Sequence, residues 1–246
     1  MSEPVIKFVS VYKNYPLYSS FTNGIKNFLF HFPKSLYQVY KKRVQVLKNI
    51  SLKIYRGEAV GFIGRNGAGK STILSLIAGV IKPSAGQITV KGRVSPLLEL
   101  GAGFHFELTG RENIILNGVL LGLTKKEVLS RLEDIIAFSE LGDFIDQPIR
   151  TYSSGMLARL GFSVIAHLDP DILLIDEMLA VGDRSFQEKC LLKMQEFKQR
   201  KVTMVFVSHS MDDVVKICDR VYLIEDGIIK YHGEPEDVVL KYTTSK

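Results

Sequence analysis

The sequence has little cysteine and no long apolar run. Its two cysteines, Cys190 and Cys218, form neither a disulfide framework nor the spacing of a metal site, so we expect both to be ordinary packing or surface residues. No stretch approaches the roughly 18 consecutive apolar residues of a membrane span. No apolar region follows Met1–Pro4, as a signal peptide would require. Internal repeats and low-complexity tracts are also lacking. These absences favour a cytoplasmic globular protein.

The length of 246 residues allows one large domain or two small ones with a substantial core, and the net charge is +6. A basic protein can bind nucleic acid, anionic lipid or a phosphorylated ligand. The alternative is a mildly basic surface without such a role. The distribution of the charge along the chain decides between these possibilities.

The stretch from Gly64 to Thr72 matches the phosphate-loop pattern G-x-x-x-x-G-K-[S/T]. The apolar run Ala59–Ile63 before it predicts a buried strand, and the residues from Ile73 to Gly79 predict a helix. Glycines let several backbone N–H groups face one anion, and a helix N-terminus adds partial positive charge. We therefore predict a nucleotide-binding loop rather than a glycine turn without a ligand. Its residues are Gly64, Arg65, Asn66, Gly67, Ala68, Gly69, Lys70, Ser71 and Thr72.

Two of these side chains have specific roles. Lys70 is placed for the β- and γ-phosphates, and Ser71 for Mg²⁺. Asp176 follows four consecutive aliphatic residues, which predict a strand buried on both faces of a parallel sheet. We expect Asp176 to hold Mg²⁺ and the next residue, Glu177, to orient the attacking water. His209, at the end of the following strand, is predicted to lie near the γ-phosphate.

Strand and helix patterns alternate on both sides of a helical block. Thr109 with Glu112 predicts a capping box at the start of one helix, and Thr124 is the expected cap of a second helix over Lys125–Glu140. Further strands are predicted at Val5–Val11 with an end before Pro16, and at Val44–Tyr55, Gly86–Val90, Val202–Val207 and Arg220–Glu225. Helices are predicted at Leu157–His167, Arg184–Arg200 and Met211–Cys218, and Asp226-Gly227 predicts a hairpin turn into Ile228–Tyr231.

Leu17–Arg43 differs from the rest of the chain. It is rich in aromatic and basic residues and contains no acid. Too many rings would face water in a solvated linker, and the lysines and Pro33 make it poor core material. We expect a basic amphipathic segment that lies on a membrane surface or a partner protein. The alternatives are an element packed on the domain's own edge and, less favoured, a nucleic-acid contact.

A second anion site is predicted at the start of the helix over Leu157–His167. It follows Tyr152-Ser153-Ser154-Gly155-Met156, where a serine and a glycine precede a helix N-terminus. One nucleotide does not require two such sites in one chain. A head-to-tail dimer does, because Lys70 of one subunit and Ser154 of the other would contact the same ATP.

With these motifs in this order and spacing, the chain resembles the nucleotide-binding subunit of an ATP-binding cassette (ABC) transporter over nearly its whole length. The family signature is close to L-S-G-G-Q. Ser153 matches its serine, whereas Ser154 and Met156 depart from it, so the resemblance assigns Ser153, Ser154 and Gly155 together to the partner contact. It also implies that Asp183 ends the loop after Asp176 and Glu177, and that Tyr15, with Tyr12 as the second choice, stacks on adenine.

One departure concerns the loop before the helical block, where the family carries a glutamine that touches Mg²⁺. Glu99 is the nearest polar residue here. A carboxylate can hold Mg²⁺ but repels the γ-phosphate. The variant signature, the stretch Leu98–Phe104 and the aromatic insertion resemble the subfamily that powers export of O-antigen, capsule or teichoic acid. Many of its members append a carbohydrate-binding domain, which either is absent from this protein or lies outside these 246 residues.

The resemblance implies an α/β fold, with a P-loop ABC ATPase core built on a parallel sheet, an antiparallel β subdomain and a helical subdomain. We expect one domain over 1–246, with its core at 1–96 and 150–246, the insertion at 17–43 and the helical part at 97–149. The implied protein is a homodimeric ATPase that uses ATP and Mg²⁺. It would act at the cytoplasmic face of the inner membrane with a separate permease, and export lipid-linked polysaccharide without binding nucleic acid. The alternative is a soluble ABC ATPase of translation or DNA repair.

Overall fold

The computed structural model describes residues 3–16, 43–97, 103–176, 183–208 and 210–244. Two sheets organise this part of the chain. The smaller sheet is antiparallel and contains β1 (Pro4–Pro16), β2 (Arg43–Tyr55) and β4 (Ala85–Val90). The larger sheet contains β3 (Ala59–Ile63), β5 (Val94–Leu97), β6 (Ile172–Asp176), β7 (Thr203–Val207), β8 (Arg220–Glu225) and β9 (Ile228–Gly233).

The strand order of the larger sheet, over the described residues, is β5-β6-β7-β3-β8-β9. All neighbouring pairs are parallel except the hairpin of β8 and β9. Asp226 and Gly227 form its turn with φ of 49° and 78°, as the Asp-Gly pair predicts for a type I′ turn. The predicted α/β architecture with a parallel sheet and an antiparallel β part is confirmed.

Among the described residues, six helices lie between strands in sequence and one follows β9. They are α1 (Lys70–Ile77), α2 (Gly110–Leu120), α3 (Lys125–Ser139), α4 (Ser154–Ala166), α5 (Arg184–Gln199), α6 (Met211–Ile217) and α7 (Pro235–Thr244). Between β5 and β6, α2 and α3 pack on α4 and are followed by short 3-10 turns at Gly142–Asp146 and Ile149–Thr151. α2 and α3 lie within residues 97–149, the predicted helical block, whereas α4 follows it.

Both predicted caps of the helical block are present. Thr109 Oγ1 accepts from the Glu112 amide at 3.2 Å, and the Glu112 carboxylate accepts from the Thr109 amide at 2.9 Å. Thr124 and Glu127 form the same reciprocal pair. The hydrogen bonds from Thr109 keep the pKa of Glu112 below its ordinary value. These two helix starts therefore follow from local sequence alone.

The core occupies both faces of the larger sheet, because nearly every residue of its central strands is buried. In β6, Leu173 and Ile175 pack with the helical block, whereas Ile172 and Leu174 pack with α1 and the antiparallel sheet. All five residues of β3 are buried. The predicted parallel strands buried on both faces are thus confirmed.

Four features differ from the sequence prediction. α4 begins at Ser154 rather than at Leu157, so Ser154, Gly155 and Met156 lie in its first turn. The strand β5 and the helix α7 were not predicted. β5 pairs in parallel with β6, so that Val94 lies opposite Ile172. β1 also continues through Pro16, which pairs with Arg43 of β2. Both cysteines are buried packing residues.

Candidate functional site

The phosphate loop lies between the C-terminal end of β3 and the first turn of α1. Gly64, Gly67 and Gly69 have φ values of 146°, 78° and 107°, which side-chain-bearing residues rarely adopt. A Cβ atom on Gly69 would lie 2.6 Å from Leu47 Cδ2, whereas one on Gly67 would have no atom within 4 Å. The loop is therefore packed against β2 at one glycine and open to a ligand at another.

Lys70 is the first residue of α1, and only 5% of its surface is exposed. Its Nζ donates to the carbonyls of Gly64 and Arg65 at 2.9 and 3.1 Å, so the ammonium lies over the loop. α1 is capped by Gly69 without a side-chain hydrogen bond, and Ser71 and Thr72 follow in its first turn. Backbone N–H groups of this turn are suited to an anion.

Asp176 lies at the same end of the larger sheet as the start of the phosphate loop. It pairs with Val207 of β7, and Val207 pairs with Phe62 of β3, two residues before Gly64. Because neighbouring strands lie about 4.8 Å apart, Asp176 is about 10 Å from Phe62 along the sheet. The carboxyl ends of parallel strands are where ligands of open α/β sheets bind. The topology thus brings Asp176 and the phosphate loop to one edge.

The hydroxyl of Ser71 and the carboxylate of Asp176 are hard oxygen donors of the kind that Mg²⁺ prefers. The chemistry of this donor set fits the ion. Within the described residues, no group of three or more His, Cys, Asp or Glu side chains could hold a metal by itself. The predicted residues Glu99, Glu177 and His209 lie outside the described residues.

The predicted signature stands at the start of α4. Ser153 is its N-cap, and its Oγ accepts from the Met156 amide at 3.2 Å. Ser153 and Ser154 are exposed, and Gly155 is half-buried. Tyr152 anchors the segment, since it is buried and its hydroxyl donates to the Phe144 carbonyl at 2.5 Å. The serines are therefore presented to solvent from a fixed helix end.

Asp183 is the N-cap of α5. Its Oδ1 accepts from the Phe186 amide at 3.0 Å and from the Ser185 hydroxyl at 2.7 Å. These hydrogen bonds, that of Ser185 first, hold the pKa of the Asp183 carboxyl below its ordinary value. Its Oδ2 is 2.6 Å from the Arg159 guanidinium of α4. Sequence reasoning singled out Asp183 but not Arg159, because nothing in the local pattern shows that α4 contacts α5 here.

Tyr15 lies near the end of β1, opposite Val44 of β2, and both side chains are partly exposed. The Lys13 ammonium stands 5.0 Å from the centre of its ring. Further along the same strand pair, Leu47 contacts the phosphate loop at Gly69. Tyr15 is therefore an exposed ring on the strand pair that flanks the loop.

Sequence reasoning missed the second wall of the cleft beside the loop. A cavity of about 320 Å³ lies between the phosphate loop and the β8–β9 hairpin. Glu225 and Lys230 in this wall form an ion pair of 2.8 Å. The lining residues are Arg65, Asn66, Gly67, Ala68, Glu225, Asp226 and Lys230. The Asp226-Gly227 turn was visible in the sequence, but its place beside the loop depends on β8 pairing with β3.

No helix in the described part of the chain is both long and apolar enough to cross a membrane.

Residues 47–180 match the family model described as ABC transporter. The O-antigen export system ATP-binding protein RfbB of Klebsiella pneumoniae is 58% identical over 241 residues, which cover 98% of each chain. The teichoic acids export ATP-binding protein TagH of Enterococcus faecalis is 47% identical over 212 residues, covering 85% of this chain and 47% of that protein.

Solved structures give the same fold at low identity. An ATP-binding cassette in a dimeric, post-hydrolysis state bound to ADP and Pi superimposes with a TM-score of 0.74 at 20% identity, covering 94% of this chain and 98% of that one. An ATP-binding subunit of an ABC transporter superimposes with a TM-score of 0.75 at 21% identity, covering 97% and 93%.

Proposed function

The chain belongs to the ABC transporter family, and from this membership we propose that it is the ATP-hydrolysing subunit of an exporter that moves lipid-linked bacterial polysaccharide through a separate membrane subunit. One observation carries the proposal. The chain is 58% identical, over 98% of both sequences, to a protein named for O-antigen export. The predicted alternative, a soluble ABC ATPase of translation or DNA repair, is not favoured by this similarity.

The phosphate loop and Lys70 would bind and orient the triphosphate of ATP, and Ser71 and Asp176 would hold Mg²⁺. The ion would neutralise charge on the phosphates. Glu177 would orient the water for in-line attack on the γ-phosphate, and His209 would stabilise the charge that develops there. These roles are supported by the buried Lys70 ammonium, which lies over the loop, and by the position of Asp176 at the same end of the sheet as the phosphate loop.

Two copies of the chain would close around two ATP molecules. Ser153, Ser154 and Gly155 of one subunit would then meet the γ-phosphate bound by Lys70 of the other, with Asp183 beside them. The exposure of Ser153 and Ser154 at the N-terminus of α4 supports this arrangement, since a helix start that faces solvent is open to an anion on a second chain. Tyr15 would stack on adenine, and Glu99 would take the place of the family's glutamine near Mg²⁺.

The basic aromatic insertion would contact the membrane surface or the permease. Apart from Arg43, the first residue of β2, it lies outside the described residues. Its support is therefore the composition of the segment, in which aromatic and basic residues occur without any acid. The chain would work as a peripheral protein at the cytoplasmic face of the inner membrane.

Export is tested in the bacterium of origin by deleting the gene. We expect surface polysaccharide to be lost and its lipid-linked form to accumulate inside the cell. The wild-type chain should reverse both changes, whereas Lys70→Ala, produced at the same level and folded, should reverse neither. Unchanged surface polysaccharide in the deletion strain would refute the export function.

The partner contact is tested by affinity recovery of the tagged chain from native membranes. The intact chain should recover an integral membrane protein, and a chain without residues 17–42 should not. If both recover it, the insertion does not make the contact. If the intact chain is found with ribosomes or DNA instead, the transport function is wrong and only the ATPase remains.

A further inference from the structure

Glu140, at the C-terminal end of α3, has a backbone conformation that glutamate rarely adopts. Its φ and ψ are 55° and 30°, in the left-handed region. Glycine is the usual residue at such a helix end because it has no Cβ to crowd the following carbonyl. A side chain that persists there is held by its surroundings, and such positions concentrate where a side chain has a function. The contacts of the Glu140 carboxylate supply such surroundings.

The carboxylate of Glu140 contacts one cation from each of two other helices. Its Oε1 accepts from Lys189 Nζ of α5 at 2.9 Å, and its Oε2 accepts from the Arg159 guanidinium of α4 at 3.0 Å. Lys189 also donates to the Phe138 carbonyl at 3.0 Å and lies 4.4 Å from the centre of the Phe138 ring. The end of α3 is thus fastened to both α4 and α5.

Arg159 continues the connection to Asp183. Its second terminal nitrogen donates to Asp183 Oδ2 at 2.6 Å, and the guanidinium lies 5.0 Å from the centre of the Phe186 ring. The Arg159 side chain is only 17% exposed. A planar guanidinium can bond two carboxylates in fixed directions, which a single ammonium cannot do. We call these contacts the Glu140–Arg159–Asp183 bridge.

The bridge joins the two parts of the chain that are proposed to face the partner's ATP. Arg159 lies in α4, whose first turn follows Ser153, and Asp183 caps α5. Ser153 is fixed to α4 by its own capping bond to the Met156 amide. Arg159 therefore links the helix that begins after Ser153 to Asp183, and Glu140 contacts Arg159 from the end of α3.

We propose that Glu140 and Arg159 are positioning residues, which hold Ser153 and Asp183 in one rigid arrangement so that both meet the partner subunit's nucleotide together. This inference rests on the proposed function, since it needs ATP to be hydrolysed between two copies of the chain. Neither residue touches ATP. They affect turnover only because they position Ser153 and Asp183.

The variant Glu140→Gly distinguishes a positioning role from a purely stabilising one. Glu140 is 44% exposed and its pair with Lys189 adds little to stability in water, and Arg159 keeps its ion pair with Asp183 when Glu140 is removed. Glycine relieves the left-handed backbone at this position. The variant should therefore unfold at the same temperature as the wild type or a higher one. ATP turnover should nevertheless fall in this variant, because the Glu140–Arg159–Asp183 bridge is lost.

The test measures ATP hydrolysis and thermal unfolding of the full chain with Glu140→Gly and Arg159→Lys. We expect kcat to fall about 10- to 100-fold in both variants, the usual cost of a small misplacement of groups around a reacting substrate. Binding of an ATP analogue to the phosphate loop of each variant should match the wild type. Arg111→Gln is the matched control, because the ion pairs of Arg111 among the described residues are with Glu133 and Asp146, which do not belong to the bridge. Its kcat should stay at the wild-type value.

Wild-type kcat in Glu140→Gly would overturn the proposal, as would a lower unfolding temperature that accounts for the lost activity. Near-normal kcat in Arg159→Lys would overturn the role of the Arg159 guanidinium. Failure of the proposed function looks different, because the wild type would then hydrolyse no more ATP than Lys70→Ala does. With an active wild type and an inactive Lys70→Ala, the result for Glu140→Gly bears on the bridge alone.

Discussion

Gly64 approaches Ile224 so closely that a Cβ atom at position 64 would overlap the carbonyl oxygen of Ile224. Gly67, three residues later in the same loop, has no atom within 4 Å of the corresponding point. Both glycines have positive φ, so both are required by the backbone, but only Gly64 is also required by packing against β8. The two positions therefore separate folding from ligand binding.

Gly64→Ala is expected to destabilise the fold by about 1–3 kcal/mol through overlap and by a similar amount through backbone strain. Gly67→Ala should cost only about 1–2 kcal/mol, the penalty of a left-handed residue, but should weaken ATP binding at least tenfold because its methyl group points into the open side of the loop. Denaturant unfolding and titration with a fluorescent ATP analogue measure the two effects. Equal stability losses in both variants would contradict this assignment.

Ser153 has a structural and a proposed catalytic role, and two substitutions distinguish them. Ser153→Ala should lower stability by about 1 kcal/mol because the capping bond of α4 is lost. Ser153→Asp keeps an N-cap acceptor, so its unfolding temperature should match the wild type, while its negative charge repels the partner's γ-phosphate. We expect lower kcat in both. Wild-type turnover in Ser153→Asp would show that this position does not face a phosphate.

Glu177→Gln is expected to slow ATP turnover by roughly 10²–10⁴, the usual contribution of a general base. The amide keeps the size of the side chain but cannot accept a proton from water. ATP should still bind, since the phosphate loop is unchanged. Single-turnover hydrolysis measures the chemical step, and an ATP-binding titration of the same preparation is the control. Near-normal turnover would remove Glu177 from this role.

The two thiols should be unreactive in the folded protein. Burial raises the pKa of Cys190 and of Cys218 to about 12 from 9.0. Because the thiolate is the reactive form and its fraction falls as the pKa rises, alkylation at pH 8 should be slower than for an exposed thiol by on the order of 10³. Mass spectrometry after iodoacetamide treatment should find no label until denaturant is added. Rapid labelling of either cysteine in the native state would contradict its burial.

Much of the fold followed from local signals. The capping box at Thr109 and the cap at Thr124 were predicted correctly, because each depends on hydrogen bonds between residues three apart. The hairpin at Asp226-Gly227 was predicted for a similar reason, since its backbone conformation depends on two residues. In contrast, β5 has only four residues and a proline, and it is a strand because β6 lies beside it. A short segment carries too little periodicity to predict such a partner.

The sequence by itself determined the phosphate loop, the acid at the end of the buried strand and the cap at Thr109, because each depends on residues close together in the chain. Only the tertiary structure decided which of these groups lie at one edge of the sheet. Asp176 reaches the level of the phosphate loop through β7, which stands between β6 and β3. The Glu140–Arg159–Asp183 bridge likewise joins three helices, and its residues were not singled out together by any local pattern. Their meeting results from the packing of α3, α4 and α5 around shared apolar faces, which fixes where charged side chains can pair.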